Sequence, residues 1–109
     1  MKLLIAGSRG IESFDLSQYV TPDVNIILSG GAKGVDTIAE EYADRNRLSK
    51  VILRPRYDLY GKSAPLKRNE VLIKMADKVL VIWDGVSRGS QYTINYAKKL
   101  NKDIQVIIA

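Results

Sequence analysis

The chain has 109 residues, enough for one domain with a hydrophobic core but small for an enzyme with a separate substrate domain. Its composition, with 46% hydrophobic and 27% charged residues, is ordinary for a globular protein. It has no cysteine and no histidine, which excludes disulfides, thiol nucleophiles, thiolate metal sites and the commonest general base. The net charge of +5 raises the question of an anionic partner.

The first half of the chain predicts two strands and two helices before a third strand. Residues 2–6 form an apolar strand that ends in the turn 7–10, and a short helix is expected over 12–19. A second strand over 24–28 leads into a glycine-rich turn. Apolar side chains then recur at helical spacing, which predicts a helix over 35–47.

The second half continues the alternation. Strands are expected over 50–53, 78–83 and 104–108, and helices over 65–76 and 90–100. The polar segment between the third strand and the third helix is expected to be a loop. We therefore predict an α/β fold of Rossmann-like type, a three-layer sandwich with a five-stranded, mostly parallel sheet, as a single domain over 1–109.

The glycine-rich turn is the most informative stretch. A strand, a flexible turn and a helix start make a site for an anionic group, because backbone N–H groups point at the ligand with the helix dipole behind them. The stretch is neither a dinucleotide fingerprint nor a Walker loop. The candidate ligand-binding residues here are Ser29, Gly30, Gly31, Lys33 and Gly34.

Two carboxylates follow on the same helix. Asp36 and Glu40 are four residues apart and share a helix face, so both could face one pocket. Asp36 is a candidate for hydrogen bonding a ribose hydroxyl or holding a water, or it stabilises the first helical turn. Glu40 is a candidate catalytic residue or a surface charge.

Similar chemistry follows two other strands. The turns after the first and fourth strands either contact a phosphate or are plain turns. Asp84, at the end of the fourth strand, is a candidate ribose ligand or general acid/base, or it only forms the turn. Arg68 and Asn69 on the third helix could reach inward, and Lys62 lies in a loop expected to cover the pocket. The candidates after the first and fourth strands are Gly7, Ser8, Arg9, Asp84, Gly85, Ser87, Gly89 and Ser90.

Basic residues are concentrated in the same segments. Lys98, Lys99 and Lys102 near the last helix fit a solvated surface. Open α/β sheets bind ligands beyond the carboxyl ends of their strands, so cations placed there predict an anion-binding face. The cations in or beside segments that follow predicted strands are Arg9, Lys33, Arg54, Arg56, Lys62, Arg68 and Arg88.

In combination, these motifs resemble a known family. Gly7-Ser8-Arg9, the stretch 29–36, Tyr60-Gly61-Lys62, Arg68-Asn69, Ala76-Asp77 and the stretch 83–90 are similar to small members of the SLOG superfamily. That group is similar to the DNA-processing protein DprA and to the LOG-type phosphoribohydrolases. The resemblance implies a nucleotide or nucleic-acid phosphate at Gly30, Gly31, Gly34, Gly89 and Ser90, and a homo-oligomer.

The sequence also departs from the LOG pattern Pro-Gly-Gly-x-Gly-Thr-x-x-Glu. Ser29 replaces the proline, and Val35-Asp36 stands where Gly-Thr continues. Glu40 could take the place of the catalytic glutamate on the helix, although the motif does not align cleanly. DprA itself is larger, with segments that this chain lacks.

Three functions are consistent with these features. The first is a sensor or carrier that binds a nucleotide or nucleotide-derived ligand. The second is an enzyme that cleaves the N-glycosidic bond of a nucleoside monophosphate, with Asp36, Glu40 or Asp84 as the carboxylate. The third is a binder of single-stranded nucleic acid, although aromatic residues make up only 7% of the chain.

The sequence also bears on metal binding and on cellular location. No metal site is predicted; a magnesium ion would arrive with a nucleotide, held by carboxylates and phosphate oxygens. The apolar run at residues 3–6 is too short for a signal-peptide core, and no run reaches membrane-spanning length. We therefore expect a cytoplasmic protein with no membrane partner.

Overall fold

The computed structural model describes residues Met1 to Ala109 and has one five-stranded sheet in which every neighbouring pair of strands is parallel. The order across the sheet is β3-β2-β1-β4-β5. The predicted Rossmann-like α/β fold is confirmed, with a sheet that is parallel throughout. The strands are β1 (Lys2–Gly7), β2 (Ile26–Ser29), β3 (Ser49–Ile52), β4 (Lys78–Trp83) and β5 (Asp103–Ile108), and the helices are α1 (Val35–Arg45), α2 (Tyr57–Tyr60), α3 (Ala64–Met75) and α4 (Arg88–Lys99).

Side chains of successive strand residues pack on opposite faces of the sheet. In β1, Leu3 and Ile5 belong to the core cluster on the α1 side, whereas Leu4 belongs to the cluster under α3 and α4. All three side chains are almost completely buried. This alternation follows from the two-residue period of a strand, and it produces the three layers because each face must be covered by helices or loops.

The predicted helix over 12–19 is wrong. The chain from β1 to β2 has no helix, and the predicted range forms only a hydrogen-bonded turn around Ser17 to Val20. The Asp15 carboxylate accepts the backbone N–H of Ser17 at 2.9 Å, and such local bonds compete with helix formation. Leu16 is 1% exposed in the α1-side cluster, so this irregular segment covers the sheet in place of a helix.

The other elements differ from prediction mainly at their ends. Helix α1 stops at Arg45, two residues early, and Arg47 adopts a left-handed conformation with φ of 56°. The segment predicted as a loop before α3 contains α2 and a 3₁₀ turn over Gly61–Ser63. No helix combines the length and the apolar composition that a membrane crossing requires.

The strand order positions the functional site. Chain connections run outward from β1 in one direction through β2 and β3, and in the other through β4 and β5. The carboxyl ends of β1 and β4 are neighbours at this reversal, with Gly7 paired to Ile82. Open α/β sheets bind ligands at such a topological switch point.

Candidate ligand-binding site

A cleft of about 440 Å³ opens beyond the carboxyl ends of β1 and β4, and we call it the switch-point cleft. It brings together candidates from the turns after β1 and β4, from α1 and from α3. Its volume is within the range of small-molecule sites, roughly 300–1,000 Å³. The sequence-predicted residues that line it are Gly7, Ser8, Arg9, Asp36, Arg68, Asn69, Asp84, Ser87, Gly89 and Ser90.

Three serine hydroxyls form a hydrogen-bonded chain along this cleft. The backbone N–H of Asp84 donates to Ser8 Oγ at 3.0 Å, and Ser8 Oγ lies 2.9 Å from Ser87 Oγ. Ser87 donates to Ser90 Oγ at 3.1 Å. Either hydroxyl of the Ser8–Ser87 pair can donate, and Ser90 ends the chain with a hydroxyl that can donate into the cleft.

The amino terminus of α4 adds further donors. The first bond of the helix runs from the Gln91 N–H to the Ser87 carbonyl, at 3.2 Å. The preceding N–H groups, of Arg88, Gly89 and Ser90, have no acceptor within the helix. Ser87 does not cap them with its side chain. The helix dipole makes this end of α4 attractive to an anion.

Arg68 is a buried cation, only 7% exposed. Its Nη1 donates to the Gly30 carbonyl and, at 3.4 Å, to the Leu53 carbonyl. A Cβ atom on Gly30 would lie 2.6 Å from the guanidinium carbon and 2.9 Å from Asp36 Oδ2. Only glycine lets Arg68 lie against this turn, so the glycine-rich turn serves here to seat a cation.

A second chain of hydrogen bonds orients Arg68. Its Nε donates to Asn69 Oδ1 at 2.7 Å, and Asn69 Nδ2 donates to Thr93 Oγ1 at 3.2 Å. Thr93 in turn donates to the Gly89 carbonyl at 3.1 Å. The chain joins α3 to the first turn of α4. Sequence analysis missed Thr93, although its four-residue spacing from Gly89 places both on one helix face.

Asp36 is a buried carboxyl group at the start of α1, 7% exposed, and it lines the switch-point cleft. Burial raises its pKa above the usual value for aspartate, and the Glu40 carboxylate acts in the same direction. The N–H of Ala32, which donates to Oδ2 at 3.1 Å, lowers the pKa, as do Arg68 and Arg9. The rise from burial is the largest of these effects.

The Asp36→Asn variant is expected to unfold at a higher temperature than the wild type at about pH 7. A carboxyl group with a raised folded-state pKa favours folding below its unfolded pKa and loses that contribution as pH rises through the folded pKa. Asparagine keeps an oxygen for the Ala32 N–H and carries no charge. Thermal unfolding at neutral and acidic pH would check this, and the gain should vanish in acid.

Asp84→Asn provides a control with the opposite expected effect, a lower unfolding temperature than the wild type at neutral pH. The Asp84 Oδ1 accepts the N–H groups of Val86 at 2.9 Å and Ser87 at 2.8 Å, and these bonds hold the pKa of Asp84 below its usual value. Its contribution is present above the unfolded pKa and is lost as pH falls. A lower unfolding temperature for Asp36→Asn at neutral pH would contradict the account of burial given for Asp36.

A second cleft of about 480 Å³ adjoins the first, and we call it the basic cleft. Its lining includes the cations Arg9, Lys33 and Arg68 and no acidic residue. The two clefts share Arg9, Ala32 and Arg68, which therefore stand between them. The remaining residues that line the basic cleft are Gly30, Gly31, Pro55 and Tyr57.

Several candidates line neither cleft. The Glu40 carboxylate accepts the Ser29 hydroxyl at 2.7 Å, so it connects α1 to the end of β2. Gly34 packs against the backbone that follows β1. Lys62 and Gly85 are exposed. Among the acidic candidates, Asp36 and Asp84 lie in the cleft, and Glu40 does not.

No protein-family model, curated protein or solved structure matches this chain significantly. The SLOG resemblance therefore stays a prediction carried by the motifs. Within the structure, no group of three or more acidic side chains is placed so that it could hold a metal ion.

Proposed function

We propose that this protein binds a nucleotide or nucleotide-derived ligand in the switch-point cleft and acts as a sensor or carrier. One observation carries the proposal: donors and cations from three elements converge on a single cleft at the sheet reversal. They are the free N–H groups at the start of α4, the Ser90 hydroxyl, Arg9 and Arg68. A phosphate group has only acceptor oxygens and negative charge, so it matches this set.

The same cleft contains groups suited to a sugar. The carboxylates of Asp36 and Asp84 accept hydrogen bonds, and the side chains of Asn69 and Thr93 lie beside them in the lining. Ribose hydroxyls are both donors and acceptors, and they are recognised by such mixtures of polar groups. A phosphate and its ribose in this one cleft account for both kinds of lining.

The test is a panel of nucleoside mono-, di- and triphosphates and ADP-ribose, followed by thermal shift and by release of free base. A ligand at a hundred times its Kd should add about 2.7 kcal/mol to the free energy of unfolding. For a domain of this size each 1 kcal/mol raises Tm by roughly 4–8 °C, so the shift is easily measured. The absence of a shift with every nucleotide would contradict the proposal.

Ser90→Ala tests the placement of the phosphate. Removing the terminal hydroxyl of the serine chain should weaken nucleotide binding about tenfold, while binding of the free nucleoside should not change. Lys67→Ala is the matched control, because Lys67 is an exposed residue of α3 that lines neither cleft. Equal losses for nucleotide and nucleoside would place the phosphate elsewhere.

The burial and raised pKa of Asp36 favour a second function, hydrolysis of an N-glycosidic bond. A buried carboxyl group with a raised pKa inside a cleft is a candidate general acid or base. In hydrolysis of a nucleoside monophosphate the glycosidic C–N bond would break, water would add to C1′ and the base would leave with a proton. Asp36 would take the proton of the attacking water or support the positive charge that develops on the sugar.

The same panel separates these functions. A thermal shift without release of base supports the sensor or carrier. Base release that disappears in Asp36→Asn supports the hydrolase. Tight binding of an oligonucleotide that weakens steeply with salt, with no response to mononucleotides, would instead indicate a binder of single-stranded nucleic acid.

A further inference from the structure

The basic cleft concentrates positive charge, and no acidic residue lines it. Arg9, Lys33 and Arg68 line it together. The two ion pairs of the structure involve other residues, so none of these three cations has a carboxylate within 4.0 Å. Asp36 attracts Arg68 and Arg9 without pairing with either, so it offsets the repulsion among the three cations only in part, and a bound anion would offset the rest.

Arg68 connects the two clefts through a free donor. Its Nε and Nη1 donate to protein acceptors, whereas its Nη2 has no hydrogen-bond partner in the protein. The side chain is more than nine-tenths buried and lines both clefts. A guanidinium fixed in this way can bind oxygen atoms on either side, and its planar fork suits phosphate.

The basic cleft also has room and surface for more than a phosphate group. Its volume of about 480 Å³ is as large as that of the switch-point cleft. The Tyr57 side chain is 58% exposed and lines the cleft together with Pro55. The exposed tyrosine ring provides an apolar face on which a base or a sugar can stack, and the proline adds apolar lining.

We infer that the ligand is a nucleoside diphosphate that carries a second organic group on its β-phosphate. This inference rests on the proposed function and extends it to the basic cleft. The nucleoside monophosphate part occupies the switch-point cleft, and the diphosphate passes Arg9 and Arg68 where the two clefts meet. The second organic group, a sugar or a nucleoside, lies against Tyr57 with Lys33 beside the diphosphate.

The experiment compares three matched series by isothermal titration calorimetry. They are AMP, ADP and ADP-ribose; UMP, UDP and UDP-glucose; and GMP, GDP and GDP-mannose. In the series whose base fits, affinity should rise about tenfold or more from the monophosphate to the diphosphate-linked compound. Series based on three different bases keep the test independent of which base the switch-point cleft prefers.

Two variants of the basic cleft separate its charge from its stacking surface. Tyr57→Ala should weaken the diphosphate-linked compound about fivefold and leave the diphosphate and monophosphate unchanged. Lys33→Ala should weaken both diphosphate compounds by a similar factor and leave the monophosphate unchanged. The controls are Tyr60→Ala, an exposed tyrosine of the same helix, and Lys62→Ala, since neither residue lines a cleft.

Each remaining outcome overturns part or all of the inference. Equal affinities within a series would remove the basic cleft from the site and leave the proposed function standing. A diphosphate that binds as tightly as its linked compound, with no effect of Tyr57→Ala, would limit the basic cleft to a phosphate. The absence of binding in all three series would overturn the proposed function and this inference together.

Discussion

Replacing Gly34 with alanine is expected to lower the free energy of unfolding by about 4 kcal/mol. Gly34 has φ of 74° and ψ of −125°, a conformation that residues with a Cβ atom rarely adopt. The added Cβ would also lie 2.4 Å from the Ser8 carbonyl oxygen and 2.6 Å from that of Arg9. Backbone strain and a clash with backbone atoms add together, because neither atom is the end of a flexible side chain.

Urea denaturation monitored by circular dichroism would measure this loss. Gly89→Ala is the matched control, because no heavy atom lies within 4 Å of its Cβ position and its backbone is helical. That variant should match the wild type or gain about 0.5–1 kcal/mol. A Gly34→Ala protein within about 1 kcal/mol of the wild type would show that the turns after β1 and β2 are not tightly packed.

Replacing Arg68 with methionine is expected to raise the Kd of a nucleotide ligand about a hundredfold, or roughly 2.7 kcal/mol. Arg68 lines both clefts, and its Nη2 has no hydrogen-bond partner in the protein, so it can bind a phosphate oxygen. Such charge-assisted bonds to phosphate are among the strongest hydrogen bonds in proteins. Methionine fills similar space and removes the charge and the donors. Titration of the compound that gives the largest thermal shift would measure the effect.

Two comparisons separate lost recognition from lost structure. Arg68→Lys keeps the charge without the planar fork, so its Kd should fall between those of the wild type and the methionine variant. Arg68→Met also leaves the Gly30 and Leu53 carbonyls without this donor, so its folding must be confirmed by circular dichroism at the assay temperature. An unchanged Kd in a folded Arg68→Met protein would exclude Arg68 from binding.

The sheet could be predicted from the sequence because its strands are short apolar runs that polar turns separate. The helix expected over 12–19 could not be rejected in this way. Ile11, Phe14 and Leu16 do pack against the core, but from an irregular chain. Apolar spacing indicates that a segment covers the sheet; it does not distinguish a helix from a turn-rich segment that buries the same side chains.

The site was predictable where position alone decides it. Residues directly after β1 and β4, such as Ser8 and Asp84, meet at the switch point because parallel strands end at one edge. Glu40 shows the limit. Glu40 shares a helix face with Asp36 but lies one helical turn after it, and its carboxylate accepts a hydrogen bond from Ser29 instead of lining the cleft. The side-chain rotamer and the nearby hydrogen-bond partner decide where the Glu40 carboxylate lies, and residue spacing does not predict either of them.

The irregular crossover between β1 and β2 is expected to open locally more often than the rest of the fold. It contributes Leu16 and Val24 to the core but is held by few backbone hydrogen bonds, so its amide protons should exchange earlier than those of the helical crossovers. It begins at Ser8 and Arg9, which line the switch-point cleft. A ligand held there would restrain one end of the least protected part of the chain, and exchange should slow as far away as Val24.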